Sequence, residues 1–157
     1  MEKAKGVLEL LSAWEASKLR SQGFNLVMIG MEGDATHRVK QSPNVLHLGY
    51  VEDERVQNYL AQSTGVVFLS HYEGFGFPVL EAFCVNSNVL CSNTSSLREI
   101  SKDFAIQVDP FDAEAVVQGL YALTQNRVPR ASGDKLALLS RFSWGESVAG
   151  LFKMYSA

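Results

Sequence analysis

An apolar run that ends in a glycine loop and resumes at a proline constrains this chain more than any other feature. Gly65-Val66-Val67-Phe68-Leu69 is short, partly β-branched and bounded by Thr64, as a buried strand is. Ser70 to Gly76 follows, with glycines at 74 and 76, and Pro78 stands where a helix begins. Proline is favoured at the first helical position because its missing N–H costs nothing there, and Val79, Leu80, Ala82 and Phe83 continue an apolar face. The stretch predicts strand, glycine loop, helix.

That geometry suits a phosphate. The first turn of a helix leaves backbone N–H groups without partners and carries the positive end of the dipole, so a phosphate or pyrophosphate is favoured there. Gly74 and Gly76 lack Cβ atoms, which lets the backbone turn sharply and a ligand come close. Glu73 precedes this loop and Glu81 lies about one turn into the helix. A carboxylate repels phosphate, so the pair is better matched to sugar hydroxyls, each such hydrogen bond contributing about 1.5–3 kcal/mol. Either glutamate alone also reads as a solvated side chain at a helix start.

The rest of the chain alternates helix and strand. Val7, Leu8, Leu10, Leu11 and Trp14 recur at helical spacing, predicting an amphipathic helix over residues 5–21 that stops near Gly23. Asn25 to Gly30 reads as a strand, expected to be central, and Met31 to Pro43 as a loop holding at most a turn or two of helix. Asn44 to Gly49 is the next strand, and Glu52-Asp53-Glu54 opens a helix running to Gln62, acidic at its start as the dipole prefers. After the central stretch come a strand over Asn88 to Cys91, a helix opened by a capping box of Ser96 with Glu99, and a strand over Ala105 to Val108. Asp112 is expected to cap a helix over Ala115 to Leu123; Arg127-Val128-Pro129 breaks it, and two further helices are expected over 132–141 and 144–156. Strands alternating with helices argue for an α/β fold with an open parallel sheet covered on both faces. Such folds bind ligands at the carboxyl ends of their strands, where Gly30, Gly49 and the Glu73 loop all fall.

Composition removes several classes. The 157 residues suffice for one domain, no apolar run approaches the roughly 20 residues that span a bilayer, and no signal peptide is visible, so a cytoplasmic protein is expected. A net charge of −3 gives no electrostatic reason to expect a nucleic acid or an anionic membrane as partner. His37, His47 and His71 have no ligand spacing, so no metal is expected. Cys84 and Cys91 fall in apolar company and read as buried, inert free thiols. Gly74-Phe75-Gly76 is not a dinucleotide fingerprint, because the third glycine is absent.

Glu73, seven residues, then Glu81, with Gly74-Phe75-Gly76 and Pro78 between them, resembles the signature of family-4 retaining glycosyltransferases of the GT-B architecture. The resemblance runs over nearly the whole chain, through Asp109-Pro110, Asp112-Ala113-Glu114 and the turn Arg141-Phe142-Ser143-Trp144. It implies the carboxyl-terminal, nucleotide-sugar-binding domain of a larger two-domain enzyme, spanning residues 1–157 and lacking its first strand. By position Glu73 would hold the donor sugar as the catalytic carboxylate, Glu81 the ribose, and Gly74, Phe75, Gly76 and Phe77 the sugar and diphosphate. Lys5 would face the diphosphate, although it also reads as a solvated terminal lysine. Leu48 to Val51, with Tyr50 and Val51 foremost, would lie near the base; Tyr50 by itself reads rather as packing. The donor would be a UDP- or GDP-linked sugar, no metal or other cofactor being implied. The acceptor, a glycan, lipid or protein hydroxyl, would come through the absent amino-terminal domain, as would any membrane association, and this domain alone would bind without turnover.

The chain departs from that pattern after Glu81. Asn86 stands where relatives carry a glycine and Asn88 where they carry proline, while Arg98, Lys102 and Phe104 replace other usual residues. Asparagine tolerates positive φ better than most residues, so the helix stop should survive. The departures motivate the alternative of a non-catalytic, glycosyltransferase-like scaffold or partner module.

Overall fold

The computed structural model describes residues 5–33, 35–125 and 142. The helices expected over 132–141 and 144–156, and the Arg141-to-Trp144 turn apart from Phe142, lie outside them. The chain enters through α1 (Val7–Ala16) and a single 3-10 turn over Leu19–Gln22. One continuous helix to residue 21 does not form, because Ser17 is extended (ψ 156°) and its hydroxyl bonds back to the Trp14 carbonyl at 2.8 Å. Gly23, at φ 88°, then ends the 3-10 turn in the left-handed region. β1 (Leu26–Met28), α2 (Thr36–Gln41), β2 (Val45–His47) and α3 (Asp53–Gln62) follow, α2 being no more than the short turn the polar segment allowed. β3 (Val66–Phe68), α4 (Phe77–Cys84), β4 (Val89–Ser92), α5 (Ser95–Ile100), β5 (Ile106–Val108) and α6 (Ala113–Thr124) complete the order among the described residues.

Every ladder among the described residues is parallel. β3, β4 and β5 form one sheet in that order, with Phe68 opposite Cys91 and Cys91 opposite Gln107. β4 lies in the middle and all four of its residues are buried. Leu90 points into a core with Leu10, Trp14, Val116, Leu120 and Leu123 from α1 and α6, while Val89 and Cys91 point the other way, against Val79, Phe83, Leu97 and Ile100 from α4 and α5. The period of two thus serves two cores at once, and complete burial of an aliphatic side chain such as Val89 or Leu90 contributes about 1.5–3 kcal/mol.

Among the described residues the second sheet holds β1 and β2 alone, with Leu26 opposite Val45 and Val27 opposite Leu46. Leu26 and Val45 rest on the α1 and α6 core, but Val27 and Leu46 on the other face are 38% and 53% exposed. Two expectations are corrected here. Among the described residues β1 is paired on one side only rather than central, and this sheet is covered on one face rather than two. No ladder joins the two sheets among the described residues, although both rest on the same core.

The helix stop after Glu81 survives as the asparagine argument requires. Asn86 takes φ 61°, its N–H donates to the Phe83 carbonyl at 3.0 Å, and the next N–H, of Ser87, reaches back to Ala82 at 2.9 Å. Cys84 departs from expectation: Cys91 is buried but Cys84, on the outer side of α4, is exposed, and both are free thiols.

Candidate functional site at the carboxyl end of β3

The loop after β3 is built around one carboxylate. Glu73 keeps only 15% of its side chain exposed, and its Oε1 accepts a hydrogen bond from the Ser70 hydroxyl at 2.8 Å and an ion-paired one from Lys5 Nζ. Lys5 also stands 5.6 Å from the centre of the Phe68 ring, so the β3 terminus supports the same cation. The two residues are 68 positions apart, and Gly6 explains how they meet. At φ 64° it packs so tightly on Leu69 that a Cβ there would stand 2.0 Å from the Leu69 carbonyl oxygen, which brings the chain into α1 at the end of β3.

Gly76 caps α4 at φ 100°, with no side-chain cap on the first turn, and Pro78 falls in that turn as expected. A Cβ on Gly76 would meet Leu97 Cδ2 at 2.6 Å, so the position requires glycine twice over, by conformation and by space. A Cβ on Gly74 would meet nothing within 4 Å, so only the approach of a ligand would call for glycine there. Phe75 packs on Phe77 (4.8 Å) and edge-on to Phe142 (5.5 Å), leaving Phe77 64% exposed beside the helix start.

Glu81 sits on the outer side of α4, exposed and without a side-chain bond among the described residues, while Val79, Leu80, Ala82 and Phe83 are buried. On the neighbouring sheet Gly49, at φ 66°, follows β2 and accepts the Gly30 N–H at 2.9 Å, tying together the loops after β1 and β2. Tyr50 beyond it is 75% exposed, which corrects the packing reading, and Val51 is half-buried. The structure thus joins Lys5 to Glu73 directly, places Phe75 and Phe77 beside the same helix start, and leaves Glu81 and Tyr50 open to solvent.

Sequence reasoning missed four supports of this loop. His71 Nε2 lies 3.2 Å from Glu9 Oε1, an ion-pair distance without hydrogen-bond geometry, and its ring packs on Phe111 at 4.4 Å. The other supports come from Thr94-Ser95-Ser96. The expected capping box is not what these residues form: Thr94 is the N-cap of α5, its hydroxyl donates to the Ser70 carbonyl (3.1 Å), and Ser96 donates to the Glu73 carbonyl (2.9 Å). Between them Ser95 accepts the Glu73 N–H at 3.0 Å from a left-handed backbone, φ 46°, a conformation that costs a non-glycine residue about 1–2 kcal/mol.

Burial pushes the Cys91 thiol up to about 11, and its Sγ lies 3.0 Å from the Ser101 hydroxyl, which Gln107 also reaches at 2.8 Å. That thiol is a packing group. Among the described residues no three His, Cys, Asp or Glu side chains gather as metal ligands would, and no helix is long and apolar enough to cross a membrane.

A family model described as glycosyl transferases group 1 matches residues 1–136. O-antigen chain mannosyltransferase B of Escherichia coli is 31% identical over 156 residues, covering 92% of this chain and 40% of that protein. A phosphatidyl-myo-inositol mannosyltransferase of Mycobacterium tuberculosis is 27% identical over 175 residues, covering 98% and 44%. The chain spans less than half the length of these two relatives. Among solved structures, sucrose-phosphate synthase from Thermosynechococcus elongatus superposes with a TM-score of 0.73 at 20% identity, covering 98% of this chain and 42% of that one. WaaG, a glycosyltransferase involved in lipopolysaccharide biosynthesis, superposes with a TM-score of 0.66 at 20% identity, covering 79% and 36%. The fold is therefore the Rossmann-like one of a partial GT-B carboxyl-terminal domain, and the chain belongs to the glycosyl transferases group 1 family.

Proposed function

We propose that this chain is the donor-binding domain of a longer, family-4-like retaining glycosyltransferase, which moves a hexosyl group from a nucleotide diphosphate sugar to an acceptor hydroxyl. The observation that carries the reading is the Glu73 carboxylate, held by Lys5 and Ser70 beside the uncapped start of α4. As the glycosidic bond breaks, negative charge grows on the diphosphate, and the α4 amides together with Lys5 stabilise it. Glu73 orients the sugar and Glu81, with no other side-chain partner among the described residues, anchors the ribose. Tyr50 and Val51 flank the base. That O-antigen chain mannosyltransferase B and the phosphatidyl-myo-inositol mannosyltransferase are both named for mannosyl transfer supports a mannose-type donor. The closed helix stop at Asn86 removes one motive for a non-catalytic reading, since the departure from glycine leaves α4 intact.

The longer protein belongs to the same proposal. A strand ahead of α1 would run beside β3, because Gly6 packs on Leu69 at the β3 terminus, and would bridge the two sheets. The acceptor and the remaining catalytic groups lie across a cleft on another domain, in a cytoplasmic enzyme that uses no metal.

Calorimetric titration with UDP, GDP, ADP and their sugars, alongside Glu81→Ala, tests this. Selective binding that Glu81→Ala weakens about tenfold to a hundredfold supports a donor site and names the base. Absence of binding in both the chain and the full-length protein overturns the transferase reading and leaves the scaffold.

A further inference from the structure

We propose that Ser95 is a positioning residue for Glu73, an inference that rests on the transferase reading above. Three consecutive side chains, Thr94, Ser95 and Ser96, bond to the backbone of the Glu73 loop at Ser70 O, Glu73 N and Glu73 O. Two of the three bonds grip the peptide groups of Glu73 itself, 22 and 23 residues earlier in the chain. A helix start normally spends such hydroxyls on its own free N–H groups, yet α5 has no side-chain cap bond. The hydroxyls are spent on the loop instead.

Ser95 alone among them holds a strained backbone, at φ 46°. Strain at one residue persists where the surroundings over-determine it, and here the over-determining contact is the Glu73 N–H. The side chain of Glu73 is aimed by Ser70 and Lys5, but its main chain is aimed by Ser95 and Ser96. With both ends fixed, the carboxylate has one direction before a sugar arrives, and a displacement of about 1 Å in such a group costs about a hundredfold in rate.

Ser95→Gly in the full-length protein separates positioning from scaffolding, since glycine relieves the strain while removing the acceptor. The expected result is a protein at least as stable to urea as the native one, with kcat lowered tenfold or more, unchanged affinity for the nucleoside diphosphate, and faster deuterium exchange at the Glu73 amide. Ser95→Asn, which tolerates positive φ and restores a side-chain oxygen, rescues both kcat and exchange. Unchanged Glu73 exchange in Ser95→Gly overturns the proposal whether or not any nucleotide binds. Faster exchange with unchanged kcat also overturns it. Absence of nucleotide-sugar binding by the native protein overturns the transferase reading and, with it, the positioning role.

Discussion

Gly6 stands against Leu69 so closely that a Cβ added to it would lie 2.0 Å from the Leu69 carbonyl oxygen and 2.9 Å from the Leu69 side chain. This contact welds the entry of α1 to the exit of β3, and the Lys5–Glu73 pair depends on it.

Gly6→Ala is therefore expected to destabilise the chain by about 2 kcal/mol or more, from left-handed strain plus a backbone collision. Gly23→Ala supplies the control, because Gly23 is also left-handed (φ 88°) but a Cβ there meets nothing within 4 Å. It should cost only the strain, about 1–2 kcal/mol. Urea midpoints of the two variants measure the difference, and equal losses would remove the weld.

Lys5 is paired with Glu73, and under the proposed function it would also face the diphosphate, so the carboxylate and the diphosphate would compete for a single cation. Glu73→Gln is expected to tighten binding of the bare nucleoside diphosphate about two- to fivefold, the scale of a half-exposed ion pair. The same variant should lose affinity for the sugar conjugate. Calorimetry on both ligands reads the two opposite signs.

The two thiols should differ sharply toward an alkylating reagent. Cys84 is exposed, while burial holds the Cys91 thiol near 11 and keeps it protonated at pH 8. One thiol should react in the native chain and both in urea, with mass mapping placing the fast one at Cys84.

Glu15 ties α1 to the α2 region. Its Oε1 accepts from the Ser42 hydroxyl at 2.8 Å and its Oε2 from Arg38 at 3.0 Å, and these bonds hold its carboxyl below the ordinary carboxylate range. A lowered folded pKa stabilises above the unfolded value and loses that stabilisation as pH falls through the folded one. Glu15→Gln should therefore shift the urea midpoint at pH 7 and much less at pH 3. A shift that grows in acid would reverse the assignment.

The elements that local chemistry dictates were legible. Pro78 opens α4, Asp112 caps α6 through the Ala115 N–H at 3.0 Å, and Asn86 closes α4, each by a rule spanning a few residues. Each strand of the parallel order followed from a short apolar run. What the pattern could not carry was set by partners far along the chain, by a local back-bond, or by the face a side chain takes. Ser96 and Glu99 have capping-box spacing, but the Glu73 loop takes the hydroxyls; Ser17 interrupts an apolar stripe with a local back-bond; Cys84 has apolar neighbours in sequence yet faces outward. The candidate site was legible in its carboxylates and glycines and not in their supports, since His71 and Ser95 resemble ordinary loop and helix residues until the loops are brought together.

The central position of β4 also divides the molecule by how readily it breathes. Bonded to β3 and β5 and buried on both faces, the amides of Leu90 and Cys91 can exchange with deuterium only when the domain opens as a whole. Among the described residues the β1–β2 ribbon carries one ladder and an open face, so it is expected to open first and to take the Gly30–Gly49 tie with it. Under the proposed function, a donor spanning both halves would then settle its sugar against the stiff half and close the pliant half around its base.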